Sequence, residues 1–172
     1  FAEKALRDGV IKTRADRGTV IVLHSKTGAI LAMASYPGFD PNRYQQYSRA
    51  LQLNRAATSG YEPGSTFKMV TIAAALNEGM ISPEQEFFCE NGKYKIGRNM
   101  VRDTSPHGIM TLKQVLKKSS NICAAKIGMS MSPAKFHEYI LRFGFGQQPN
   151  SGVAAEASGR VISPKKWQTI DH

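Results

Sequence analysis

Tyr61-Glu62-Pro63-Gly64-Ser65-Thr66-Phe67-Lys68 is the stretch on which the reading of this 172-residue chain turns. Pro63-Gly64 punctuates a loop. From Thr66 to Leu76 the residues are mostly apolar, with no Gly or Pro, so a buried helix is expected from Ser65 to about Glu78, with Gly79 as its stop. Ser65 then lies in the first turn, and Lys68 lies on the same face one turn later. A serine hydroxyl is a weak nucleophile until a neighbour takes its proton. A lysine can take it once burial or nearby charge leaves some of its amine neutral. The helix N-terminus adds positive potential where negative charge develops on an attacked substrate.

The spacing alone is weak, because Ser-x-x-Lys occurs three times. Ser132-Pro133-Ala134-Lys135 and Ser163-Pro164-Lys165-Lys166 also fit, but each places Pro directly after Ser. That order is expected of an N-cap serine with proline at the first helical position. Ser82-Pro83 has the same form without the lysine. A second region adds weight to Ser65. Thr111 to about Gly128 reads as a helix or helix pair with Thr111 as N-cap, and it contains Lys118-Ser119-Ser120-Asn121 between two apolar stretches. Small polar groups in such a place must find partners. A hydroxyl there could relay a proton, and an amide could hold a substrate carbonyl. A helix–helix turn with locally satisfied side chains is the plainer alternative.

Asn54-Arg55-Ala56-Ala57-Thr58, Tyr61 to Lys68 and Lys118-Ser119-Ser120-Asn121, in that order, resemble the transpeptidase domain of class B penicillin-binding proteins. The likeness extends to Gly18–Pro37, Phe39-Asp40-Pro41-Asn42, Arg142-Phe143-Gly144-Phe145-Gly146 and Glu156-Ala157-Ser158-Gly159. It covers nearly the whole chain. Ser-Ser-Asn and Cys89-Glu90-Asn91-Gly92 resemble the division-specific, penicillin-binding protein 3 type more than the elongation-specific type. The resemblance implies a D,D-transpeptidase that crosslinks peptidoglycan stem peptides through a serine acyl-enzyme and is acylated by β-lactams. Ser65 would be the nucleophile and Lys68 the general base. Ser119 would relay the proton to the leaving nitrogen, and Asn121 would bind the acyl side chain. The backbone N–H of Ser65 would supply one oxyanion donor. The family's location implies an extracytoplasmic enzyme on the bacterial cytoplasmic membrane, working with glycosyltransferase and division or elongation machinery. A related serine β-lactamase or β-lactam sensor and a non-catalytic interaction module are the alternatives.

The family's third motif, Lys-(Thr/Ser)-Gly, does not follow Asn121 anywhere up to His172. Lys26-Thr27-Gly28 precedes Ser65 and sits between two apolar runs, so it reads as the turn of a β-hairpin over Gly18–Ser35. The third motif would anchor the substrate carboxylate and supply the second oxyanion N–H, and losing one such donor costs about 100- to 1,000-fold in rate. Residues 1–172 are therefore expected to be one partial transpeptidase domain, weakly active or inactive alone. The N-terminal anchor and pedestal region and the C-terminal strands are expected to be missing. The expected fold class is α+β: the helical half of the transpeptidase fold plus its first hairpin. Two strands alone are marginal. Either an exposed sheet edge that pairs with another chain or a loosely held hairpin on a helical body is expected.

Other features set bounds. The hydrophobic share of 41% suffices for a packed core, and no stretch is long enough to span a bilayer. A formal charge of +10 permits nucleic-acid binding in principle. The basic clusters at Lys113–Lys126 and Arg160–Lys166 neither interleave aromatics nor match a nucleic-acid module, so no nucleic-acid partner is expected. A solvated basic face facing anionic surfaces is the simpler account. Cys89 and Cys123 do not make a framework, and the sequence leaves their pairing open. No His/Cys cluster has metal-ligand spacing, so neither metal nor cofactor is expected. His24, His107, His137 and His172 receive no role. A small hairpin pairing Phe87–Cys89 with Lys93–Ile96 is expected in the Gly/Asn/Lys-rich stretch before Thr111.

Overall fold

The structure is a computed structural model and describes residues 1–167; His172 lies outside them. The chain forms two compact units. The first comprises Phe1–Gly60 with Gln148–Ser158. It opens with α1 (Ala2–Thr13), followed by β1 (Gly18–Leu23) and β2 (Ile30–Tyr36), then two single-turn helices, α2 (Arg49–Gln52) and α3 (Arg55–Thr58). β1 and β2 pair antiparallel, with Thr19 opposite Ser35 and Ile21 opposite Met33. Between them, Lys26-Thr27-Gly28 is the hairpin turn. Gly28 has φ 73°, and the Thr27 and Gly28 N–H groups both donate to the His24 carbonyl. α1 packs on both strands and buries Val10. A Cβ at Gly18 would sit 2.8 Å from Val10 Cγ2, so the close approach of helix and strand requires glycine there. The hairpin is thus held by α1, while Ile21, Val22, Leu23, Ile30 and Leu31 remain exposed. The returning segment is tied in by the Ala157 N–H on the Ala57 carbonyl at 2.8 Å.

The second unit comprises Tyr61–Gln147 and the segment from Gly159. The expected central helix is present, but its start differs. Gly64–Phe67 is a 3-10 turn, and α4 proper runs over Lys68–Asn77. Gly64 at φ 55° leads the chain into this turn. α4 ends as expected at Gly79 (φ 65°), where the Gly79 and Met80 N–H groups donate back to the Leu76 and Ala75 carbonyls. Four short strands follow: β3 (Glu86–Phe88), β4 (Lys93–Ile96), β5 (Asn99–Arg102) and β6 (Ile109–Thr111). The expected β3–β4 hairpin does not form. β3 pairs with β6, and β4 with β5. The cause is local: Asn91 and Gly92 at positive φ turn the chain away after Cys89, and Gly97 (φ 57°) closes the β4–β5 turn.

The Thr111–Gly128 segment is a helix pair, α5 (Leu112–Lys118) and α6 (Asn121–Met129), followed by α7 (Pro133–Arg142). Thr111 caps α5 in a reciprocal capping box with Gln114, and Ser132 caps α7 with Pro133 in its first turn. Ser163 precedes only a 3-10 turn, without a side-chain cap, and Ser82 begins a turn rather than a helix. α4 packs against α6 and α7. The core there gathers Ile72, Ala74, Ala75, Val115, Ile127, Met131, Phe136 and Tyr139. The fold is the expected mixture of helix and partial sheet: three two-stranded sheets among the described residues. The two cysteines, left open by the sequence, form a disulfide with Cα atoms 5.2 Å apart.

Candidate active site

Ser65 lies on the exposed 3-10 turn that leads into α4, and Lys68 is the first residue of α4. The Ser65 carbonyl accepts from the Lys68 N–H, so nucleophile and lysine share one tight turn. Thr66, between them, hydrogen-bonds through its hydroxyl to the Pro63 carbonyl and fixes the turn's entry. The Ser65 hydroxyl makes no hydrogen bond among the described residues and is open to a substrate.

Ser119 and Asn121 are brought to Lys68 from the other end of the unit. The Lys68 Nζ donates to the Ser119 carbonyl at 2.6 Å, to Ser119 Oγ at 2.9 Å and to Asn121 Oδ1 at 2.7 Å. Three donors on an ammonium meet three acceptors, so the protonated lysine is fully satisfied. Packing of α4 on α6 makes this possible, because it sets the start of α6 beside the start of α4. Between α5 and α6 the chain reverses at Ser119, which has φ 55°, a left-handed conformation that costs an L residue energy and recurs at functional sites. The Ser119 and Ser120 N–H groups cap α5 by donating to the Leu116 and Val115 carbonyls. Ser120 is buried and N-caps α6, its hydroxyl accepting from the Cys123 N–H at 3.1 Å.

Partial burial holds the Lys68 pKa below the ordinary lysine value, and the negative charge of Asp103 opposes that shift. A cavity of about 190 Å³ lies beside the lysine, lined by Gly64, Lys68, Thr71, Ala124 and Gly128 among others. Small residues on α6 leave this space. All four candidate residues lie in one unit; Lys68, Ser119 and Asn121 are in direct contact, and Ser65 is three residues from Lys68 on the same turn. No cluster of three or more His, Cys, Asp or Glu capable of holding a metal occurs among the described residues.

Sequence reasoning missed Asp103. Its Oδ1 accepts from the Asn121 and Ile122 N–H groups at 2.6 and 3.1 Å, and its Oδ2 from the Ser120 hydroxyl at 2.6 Å. One signal was available: Asp103 is the sole acidic residue between Glu90 and Glu138 in a strongly basic stretch. An isolated carboxylate among so many cations is a candidate for a specific local task.

The penicillin-binding protein transpeptidase domain matches residues 18–172. The probable peptidoglycan D,D-transpeptidase PenA of Neisseria flavescens is 34% identical, over 99% of this chain and 42% of its own. The peptidoglycan D,D-transpeptidase FtsI of Buchnera aphidicola is 33% identical, over 96% of this chain and 29% of its own. The transpeptidase domain of penicillin-binding protein 3 from Burkholderia pseudomallei superposes with a TM-score of 0.84 at 31% identity, over 98% of this chain and 46% of that one. The chain therefore spans less than half the length of these relatives. Motif order, the lysine-centred contacts and the match along the chain agree, and the protein belongs to the class B penicillin-binding protein transpeptidase family.

Proposed function

We propose that the chain is the nucleophile-bearing part of a D,D-transpeptidase that crosslinks peptidoglycan stem peptides and is acylated by β-lactams. The observation that carries this reading is the Lys68 ammonium held at once by Ser119 and Asn121, one turn from a free, exposed Ser65. Loss of its proton leaves Lys68 two N–H donors for the Ser119 carbonyl and Asn121 Oδ1, and a lone pair for a hydroxyl proton. Lys68 takes the Ser65 proton as Ser65 Oγ bonds to the carbonyl carbon of the penultimate D-Ala. The helix N-terminus and the Ser65 N–H stabilise the oxyanion. The peptide C–N bond then breaks, and a proton from the Lys68–Ser119 pair goes to the leaving nitrogen, releasing terminal D-Ala. An amine from a neighbouring stem attacks the ester, restores an amide and returns the Ser65 hydroxyl. Asn121 holds the acyl side chain once substrate displaces one of its present contacts.

Residues 1–172 function as part of one transpeptidase domain, on the extracytoplasmic side of the cytoplasmic membrane. The partners are glycosyltransferase and division machinery. FtsI among the relatives and the Ser119-Ser120-Asn121 form support the division-type assignment. No helix of the described residues is long and apolar enough to cross a membrane. The test is intact-mass measurement after incubation with a penicillin. It compares this chain with the chain joined to a C-terminal segment carrying Lys-(Thr/Ser)-Gly. A stable adduct on the joined form, lost in Ser65→Ala, is expected. No adduct on either form refutes acyl transfer at Ser65, and rapid turnover of a chromogenic β-lactam would move the assignment to hydrolysis.

A further inference from the structure

Backbone bonds fix only the first half of the loop that carries Ser119 and Asn121, where the Ser119 and Ser120 N–H groups close α5 on the Leu116 and Val115 carbonyls. Ser119 sits in a left-handed conformation, and α6 begins at Asn121 with first-turn N–H groups that have no partner within the helix. The start of α6 is held from one place. Asp103 takes the Asn121 and Ile122 N–H groups on one oxygen and the Ser120 hydroxyl on the other, at 2.6, 3.1 and 2.6 Å. Its neighbour Arg102 adds its carbonyl, which accepts from Asn121 Nδ2 at 2.8 Å. That last bond also fixes the amide orientation, because it turns Asn121 Oδ1 toward Lys68. Resting on the acyl-transfer reading above, we propose that Asp103 is a positioning residue for the reaction: it clamps the Ser119–Asn121 loop against Lys68 and bears on the ammonium through its own negative charge.

Two roles follow from one carboxylate, and they separate by substitution. Asp103→Asn keeps an acceptor for the two N–H groups, and its amide can donate to the Ser120 hydroxyl. The loop stays, and the charge is lost. Asp103→Ala removes the acceptors as well, and Asp103→Glu restores charge with a longer reach. Other charged groups do not substitute for Asp103. On α6, Lys126 is paired with Glu90; on α7, Lys135 is paired with Glu78 and Glu138, and His137 meets the Trp167 ring edge-on. Lys117 and Lys118 end α5 and add positive charge before Ser119. Removing Asp103 therefore leaves the partial burial of Lys68 unopposed, which favours the neutral amine.

The experiment uses the joined form described above. Penicillin acylation is followed by intact mass against pH, and Lys68 is titrated by NMR with lysine labelled at Cε. In Asp103→Asn, the pH profile of acylation and the Lys68 titration should both move to lower pH, with folding retained. In Asp103→Ala, acylation should fall by about 100-fold, the cost of a displaced catalytic group, and Asp103→Glu should recover part of it. Parental rate and parental pH profile in both Asp103→Asn and Asp103→Ala, with only a lowered melting temperature, would make Asp103 an ordinary helix cap and overturn the proposal. If the parent itself is not acylated, the acyl-transfer reading fails. The Lys68 titration then decides alone: a downward move in Asp103→Asn supports the action of Asp103 on Lys68, and an unmoved titration overturns it.

Discussion

Reducing the Cys89–Cys123 disulfide should cost the second unit a large part of its stability. The bridge closes a loop with a sequence separation of 34 and ties the end of β3 to the first turn of α6, two residues from Asn121. Constraining the unfolded chain over such a loop is worth about 4 kcal/mol at 25 °C in the loop-entropy account. With a urea dependence of about 2 kcal/mol per molar, the unfolding midpoint should fall by about 2 M. Both cysteines are fully buried in the core, so Cys89→Ala/Cys123→Ala should fall at least as far, since it also removes packed sulfur. The assay is urea unfolding of the oxidised, reduced and doubly substituted chain, beside alkylation in denaturant without reductant. Two alkylated thiols in the unreduced protein would refute the bridge. An intact bridge whose reduction left the midpoint unmoved would refute the entropy argument.

Three further outcomes are expected. The rate of penicillin acylation should rise with pH, because the neutral amine of Lys68 is the base. Since partial burial depresses its pKa, the rise should level off below the ordinary lysine value of 10.5, as a stopped-flow pH series would show. A plateau only above that value would contradict the burial argument. Ser120→Ala leaves Asp103 Oδ2 and the Cys123 N–H without their partner, so chemical denaturation should register a loss of about 1–2 kcal/mol. Gly18→Ala drives a Cβ to 2.8 Å from Val10 and should destabilise the first unit by about 1–3 kcal/mol, read as earlier hydrogen exchange in α1 and β1. Unchanged exchange would mean that α1 moves aside freely.

Much of this fold is legible in the sequence. Pro63-Gly64 and the apolar run after Thr66 marked α4, and Gly79 marked its end, because loop punctuation and helical burial are local properties. Lys26-Thr27-Gly28 was identified as a turn for the same reason. Thr111 and Ser132 were legible as caps because a cap bonds within three residues. Where the partner was distant, the same reasoning failed. Phe87–Cys89 and Lys93–Ile96 looked like neighbours, yet each found another strand, since short strands of similar composition carry no label for their partner. Ser163 had the form of a cap and stands before a single 3-10 turn, which ends where Trp167 adopts an extended conformation.

The site divides along the same line. Sequence alone determined which residue types stand at which spacing: a serine and a lysine one turn apart, and a serine and asparagine at a helix junction. Those choices are written in local order and in the family's motifs. Only the tertiary structure decided that Lys68 meets Ser119 and Asn121, 51 and 53 residues onward, that Cys89 meets Cys123, and that a lone Asp103 holds the loop between α5 and α6. Hydrogen bonds and electrostatic shifts act over a few ångströms, and which groups come that close is set by how α4 packs on α6, not by their distance along the chain.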